Sequence, residues 1–425
     1  MHPSPVTLSH HMTLLQMAQG DFRTDRLTGV FAVPLTADTA ADYAILPGLL
    51  TRGCRAYPTM AALCRRLDNL YGATVQGQVY RLGGWQVLTF SVNYLNRRYT
   101  LDGNDLTAAC TNLLLDMLLD PALEEDAFPA DVFTQEKRCL IERLQGEMNE
   151  KRLYARQRCE QLLTPNHPYS LNPNGTEEGV AALTPVMAET ARRNLLTGAR
   201  IHWLYQGSGD IPTLTRVLEE RFAPLYRQTP AALTTTPITD TDPTTHTEQM
   251  SLNQAKLVLG LRSAATEPAD VTATQLMITL LGGSATSLLF THVREEQSLC
   301  YYCAATYDRF QGVVLIDSGV QPENAQKTKE EALKQLEAIR HNDFSDQELE
   351  AARRSLTQRY LSAGDHPDGL ENYYIGQTVY DNYLSPEEKC DRILAVTREQ
   401  VCEAARQTIL QTVYLLSPDR QEVTL

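Results

Sequence analysis

Arg294 and Tyr301 stand seven positions apart, downstream of Gly282-Gly283-Ser284, across what reads as the end of a helix and the start of a strand. A guanidinium stays charged at any working pH and a phenol donates a hydrogen bond, so the two are suited to holding an oxygen that develops negative charge. Hydrolysis of a peptide bond places such charge on the carbonyl oxygen, where a preorganised donor is worth a few kcal/mol. The plainer reading is a helix-end arginine and a strand tyrosine that pack locally. Tyr302 points to the other face of a regular strand and reads as a core residue. Cys300 and Cys303 form a Cys-x-x-Cys, a spacing used in redox and metal sites. It lies where a helix passes into a strand, without a second pair, and reads as two part-buried thiols. Gly282-Gly283-Ser284 lacks the Gly-Lys-Ser/Thr ending of a phosphate loop and reads as a helix start.

The elements that must position these residues occur twice along the chain. In the first half, 27–35 reads as a strand, 40–50 and 59–71 as helices, and 74–81 and 85–93 as strands about the turn Gly83-Gly84. In the second half, 255–261 reads as a strand and 269–281 as a helix. Another helix follows Gly282-Gly283, and 301–306 and 312–318 are again strand-like. Amphipathic helices continue each half, over 104–119 and 134–162 in one and 323–340 and 346–362 in the other. Ser345 with Glu348, Thr397 with Gln400 and Ser385 with Glu388 are capping-box patterns, and Thr184-Pro185 opens a further helix. The Thr/Pro-rich stretch 228–248 reads as a linker. The expected fold class is α+β: two homologous α/β sandwich domains in tandem, residues 1–227 and 249–425, each a mainly antiparallel sheet covered by helices.

Composition narrows the function classes. With 43% hydrophobic and 21% charged residues the chain is of globular type, and a formal charge of −14 argues against nucleic-acid and membrane-surface partners. No apolar run has the ~18–20 residues of a membrane-spanning helix. Met1-His2-Pro3-Ser4-Pro5 has no basic head before an apolar segment, and the nine cysteines are scattered. Both features lead to the expectation of a cytoplasmic protein with reduced thiols.

Taken together, these residues resemble the insulinase/pitrilysin family of zinc peptidases. The second-half signature is Gly282-Gly283-Ser284, Leu289-Phe290, Val293-Arg294-Glu295-Glu296, Leu299 and Tyr301. The first half contributes Leu70-Tyr71-Gly72-Ala73, His167-Pro168-Tyr169 and Gly175-Thr176-Glu177. The chain is similar to the shorter bacterial branch, whose members work as pairs. One subunit carries the zinc motif and the other the arginine and tyrosine. The resemblance implies metallopeptidase-like domains, catalytic roles for Arg294 and Tyr301, and substrate binding by those two with Gly282 and Gly283. It also implies a peptide substrate and either a zinc-bearing partner in a heterodimer or a homodimer.

The zinc half of such a site is missing. Catalytic members carry His-x-x-Glu-His on a helix, with two imidazoles one turn apart on the metal and a glutamate that activates water. Here the matching segment is Ala44-Ile45-Leu46-Pro47-Gly48, which offers no ligand. The family's later glutamate would fall near Glu142 or Arg143, and without the two histidines Glu142 reads as a solvated helix residue. His10-His11 are adjacent and the other histidines lie singly, His167 in a loop with a structural role, so no metal site and no cofactor is expected in this chain. Zinc is expected in the partner. The competing expectation is a peptidase-like scaffold that binds peptides or proteins without proteolysis, as an accessory to a protein-modification pathway.

Overall fold

The computed structural model describes residues 4–17, 22–232, 242–263, 268–378, 380 and 382–419. They form two compact units. One comprises residues 1–145, 171–234 and 363–385, and the other 146–170, 235–362 and 386–425.

The first unit holds a six-stranded sheet of β1 (Val6–Leu8), β2 (Met12–Gln16), β3 (Thr24–Pro34), β4 (Thr74–Leu82), β5 (Trp85–Leu95) and β6 (Arg200–Gln206). Its order is β1-β2-β6-β3-β5-β4, antiparallel except for the parallel pair β2 and β6. The apolar run in β3 is nearly continuous because both faces of the sheet are covered. On one face Phe31 meets Phe90 and Trp203 edge to face, at 5.6 and 6.1 Å, within a core shared with the helices Thr107–Leu119, Pro185–Gly198 and Ile211–Phe222. The other face takes the helix Pro367–Thr378, whose Leu370, Tyr374 and Ile375 cover Val30, Ala32 and Val87. Arg26 fixes that helix, donating to Asp368 Oδ1 at 2.5 Å and Glu371 Oε2 at 2.6 Å.

The second unit repeats the plan with β7 (Thr244–Met250), β8 (Ala255–Ser263), β9 (Cys300–Asp308), β10 (Val313–Val320) and β11 (Thr408–Pro418). The order is β7-β11-β8-β10-β9, antiparallel except for the parallel pair β7 and β11. One face packs on the helices Pro268–Gly282, Ala325–Arg340, Asp346–Leu361 and Arg398–Arg406. The other is covered by the helix Lys151–Leu163, with Ala155, Cys159 and Leu163 against Val258, Leu315 and Tyr414. Gly260 makes room for it, since a Cβ there would lie 3.0 Å from Cys159 Sγ. In each unit the last strand pairs in parallel with the first or second, and a hairpin forms the opposite edge, β4 in one and β9 in the other.

The expected α+β class, with two antiparallel-rich sheets and covering helices, holds. The helix expected over 134–162 is two helices, Ala130–Asn149 and Lys151–Leu163, separated where Glu150 leaves helical geometry at φ −80° and ψ 86°. Residues 146–170 thereby fold into the second unit, while 363–385 fold into the first. Within the expected linker, 233–241 lie outside the described residues, and its last residues belong to β7. The capping boxes at Ser345 and Thr397 are formed, and Thr184 accepts from Met187 N at 3.3 Å. No helix of the described residues is long and apolar enough to cross a membrane.

Candidate functional site

The helix Pro268–Gly282 ends against the edge of the second sheet. A Cβ on Gly282 would lie 2.6 Å from Ala305 N and 2.8 Å from Ala305 Cβ, so only glycine lets the helix end approach β9 this closely. A Cβ on Gly283 would lie 2.8 Å from Thr279 Cα, and the Gly283 carbonyl accepts from Arg359 Nη2 at 2.7 Å. Gly282→Ala is therefore expected to destabilise the unit by about 2 kcal/mol through overpacking against backbone. Thermal melting of the variant checks this, and an unchanged midpoint would remove the packing argument.

After a turn the chain winds into the helix expected there, Leu289–Glu296, which takes the wider π geometry. Its wider turn is a rare geometry that is frequent at functional sites. Arg294 occupies its last turn. The guanidinium stacks 4.5 Å from the centre of the Phe290 ring, with Nε 3.5 Å from Glu295 Oε1, and its side chain is 38% exposed. Ser298, at φ +52°, turns the chain out of the helix, and Leu299 N donates to Val293 O at 3.2 Å.

β9 is an edge strand, paired through β10 alone. Its register places Cys300 opposite Val320 and Tyr302 opposite Gly319, so Tyr301 is a bulge residue without a cross-strand partner. Its side chain is exposed, at 76%. Tyr302 corrects the expectation of a core residue. It is half-buried, with the Arg152 guanidinium 4.3 Å and Lys256 Nζ 5.6 Å from its ring centre. Burial and the nearby Asp317 push its phenol pKa up. Arg294 and Tyr301 thus flank one short turn, and the Arg294 charge reaches Cys300, the neighbour of Tyr301.

In the first unit the segment that matches the zinc helix is broken. Ala40–Ala44 and Leu46–Leu50 are separate short helices, with Pro47 in the first turn of the second. Pro47 lies under β4, where a Cβ on Gly77 would come within 2.9 Å of Pro47 Cβ. A Cβ on Gly48 would overlap the Glu136 carboxylate, 2.2 Å from Oε2, and Glu136 accepts from Arg52 Nε at 2.7 Å. The carboxylate that faces this segment is therefore Glu136. Glu142, the position expected from sequence, is 64% exposed and pairs along its helix with Arg138 at 3.5 Å, and Arg143 is exposed. The signal for Glu136 was helical phase, since it shares the inward side of the helix with Phe133, Leu140 and Leu144. Tetrahedral zinc needs three protein ligands in a catalytic site. Residues 44–48 supply none, and a guanidinium already neutralises Glu136, so the residues present do not fit the metal. Among the described residues no group of three or more His, Cys, Asp or Glu is gathered to hold a metal. His167 has its structural role, its Nδ1 accepting from Tyr169 N at 3.0 Å.

The chain therefore combines a duplicated α+β fold, a segment 44–48 without metal ligands, and an arginine and an exposed tyrosine at one sheet edge. Residues 189–356 match the family model described as the Peptidase M16 inactive domain. The chain is 28% identical over 396 residues to the "Probable inactive metalloprotease YmfF" of Bacillus subtilis (strain 168), covering 93% of each chain. A shorter match, 31% identical over 137 residues, covers 32% of this chain and 34% of the antilisterial bacteriocin subtilosin biosynthesis protein AlbE of Bacillus subtilis. Among solved structures, a conserved protein from Enterococcus faecalis V583 has a TM-score of 0.88 at 24% identity, covering 99% of this chain and all of that one. The peptidase M16 inactive domain from Pseudomonas fluorescens has a TM-score of 0.80 at 16% identity, with 100% of both chains covered. The chain is thus similar to M16 peptidase-like proteins described as inactive, the group to which the insulinase/pitrilysin resemblance points.

Proposed function

We propose that this chain is the zinc-less subunit of a two-chain cytoplasmic M16 peptidase, and that it presents Arg294 and Tyr301 to a peptide bound at the zinc of its partner. The observation that carries this reading is Tyr301, a large aromatic exposed at a bulge on an edge strand, one short turn from Arg294. The Tyr301 phenol has no hydrogen-bond partner among the described residues and is open to a ligand. In the proposed complex Arg294 and Tyr301 donate to substrate carbonyl oxygens, and Tyr301 stabilises the oxyanion as it forms. Gly282 and Gly283 contribute indirectly, by letting the helix end close against β9 and so placing the Arg/Tyr edge. The open side of β9 offers backbone groups to an extended peptide.

Native purification followed by mass spectrometry tests the pairing. A co-purifying chain with His-x-x-Glu-His, and peptide hydrolysis only by the mixture, are the expected results. Recovery of this chain alone or as a homodimer, without hydrolysis, would overturn the proposal. It would favour the second reading, a peptide- or protein-binding scaffold accessory to a modification pathway. The partial similarity to AlbE supports that second reading, because AlbE is described as a bacteriocin biosynthesis protein.

A further inference from the structure

The bulge at Tyr301 has a chemical effect on its neighbours. In a regular strand, residues three apart point to opposite faces. The extra residue at Tyr301 resets the alternation, so Cys300 and Cys303 both turn to the same apolar cluster beneath the sheet. Cys303 is buried within it and Cys300 is only partly covered. Cys300 lies opposite Val320 and Cys303 opposite Ser318, so the two sit on neighbouring same-face positions of the ladder.

We propose that Cys300 and Cys303 are an oxidisable thiol pair that peroxide closes into a disulfide spanning the Tyr301 bulge. The Cys300 thiolate attacks one oxygen of hydrogen peroxide, the O–O bond breaks, and the departing hydroxide takes up a proton to leave as water. The Cys300 sulfenic acid is then attacked by the Cys303 sulfur. The S–O bond breaks, a second water leaves with the Cys303 proton, and the S–S bond forms. Two thiols lose two electrons in all, and one peroxide is reduced to two waters.

The division of labour follows from the surroundings. The neighbouring Cys303 thiol and the charge of Arg294 hold the Cys300 thiol below its ordinary pKa against the opposing effect of burial. The same pairing and deeper burial push the Cys303 thiol up. The accessible sulfur is thus the nucleophile and the sheltered one resolves the intermediate. Closing the pair draws the two ends of the bulge together and re-aims Tyr301. The chemistry stands on the thiol geometry alone, while its effect on peptide turnover rests on the proposed role of Arg294 and Tyr301.

The test treats the full chain at neutral pH with a slight excess of hydrogen peroxide, blocks the remaining thiols with iodoacetamide and digests with trypsin. The fragment Glu295–Arg309 contains Cys300 and Cys303 and no other cysteine. It is expected unalkylated and about 2 Da lighter than its reduced form. Its oxidation should outpace that of the exposed Cys64 by roughly ten-fold. Cys303→Ser should leave a sulfenic acid at Cys300 that dimedone traps. Alkylation of both cysteines, oxidation of Cys64 at an equal rate, or a sulfenic acid that persists in the unaltered chain would each overturn the proposal. If the disulfide forms and turnover of the reconstituted peptidase does not change, the thiol chemistry holds and the consequence for Tyr301 fails. The Arg294 variants test the peptidase reading separately.

Discussion

Arg294→Ala is expected to lower kcat of the reconstituted peptidase about 100-fold while leaving the two chains associated, the cost of removing one preorganised charged donor to the substrate. The side chain can be removed without unfolding the unit. That side chain is 38% exposed, and its guanidinium stacks on Phe290 and approaches Glu295 at 3.5 Å. An exposed cation–π contact of this kind contributes about 0.5–1 kcal/mol to stability, far less than the free energy needed to unfold a unit. Arg294→Lys keeps the charge and loses the planar fork, so its turnover should fall between the two. Tyr301→Phe keeps the exposed ring and removes the donor, and should reduce kcat with little change in KM if the phenol acts on the oxyanion. The two donors would hold the same substrate, so the double variant should lose less than the product of the single effects. Steady-state kinetics alongside sedimentation of the complex decides the matter. Normal turnover in Arg294→Ala would sink the assigned role, and dissociation of the chains would recast Arg294 as an interface residue.

The fold was legible in the sequence because duplication gives the same pattern twice. The strand β3 and its counterpart β8, the hairpins β4–β5 and β9–β10, and the capped helices at Ser345 and Thr397 all follow from periodicity, turn glycines and capping residues. What periodicity could not give was which sheet a helix covers. Residues 134–162 look like one amphipathic helix, and the break at Glu150 depends on two separate surfaces, one in each unit. The site was legible in part. Arg294 and Tyr301 lie at the helix end and strand start expected of them. The bulge was not legible, because it depends on how β9 registers against β10, and a single strand's sequence does not carry its partner's register. Tyr302 misled for the same reason. Its strand position was right, but the cations above it come from Arg152 and Lys256, distant in sequence. Glu136 was missed because spacing along the chain was used where helical phase and the bulk left free by Gly48 decide which carboxylate faces the degenerate segment.

Lys389→Met is expected to stabilise the second unit, and to do so only below the pH range where an ordinary lysine loses its proton. Lys389 lies in the helix Pro386–Ala395 and is 6% exposed. Its ammonium donates to Thr272 Oγ1 at 3.0 Å and lies 5.8 Å from the Tyr360 ring centre. Burial, with the like charges of Arg309 and Arg392, pulls its pKa down from 10.5 to about 7. Above pH 10.5 the lysine is neutral in folded and unfolded chains alike, and burial of the charge costs nothing. As pH falls from there, the unfolded chain takes up a proton that the folded chain does not, so stability declines until the folded group also protonates near pH 7. Below that the full penalty is present. Methionine has nearly the same length, carries no charge and suits an irregular apolar space. At pH 6 the substitution should add about 2–4 kcal/mol, allowing for loss of the Thr272 hydrogen bond. The gain should shrink through the alkaline range and vanish near pH 10.5. Melting midpoints of both proteins at pH 6, 8 and 10 provide the measurement. A gain that does not vary with pH would mean that methionine simply packs better, and a loss at pH 6 would mean that the ammonium holds a stabilising contact. Thr272 belongs to the same helix that ends at Gly282, so a charge buried at Lys389 bears on the element that positions the Arg/Tyr edge. A chain with Lys389→Met should therefore hold that edge at least as firmly at neutral pH. Any change in turnover that accompanied its stabilisation would have to come from the helix and not from contact with substrate.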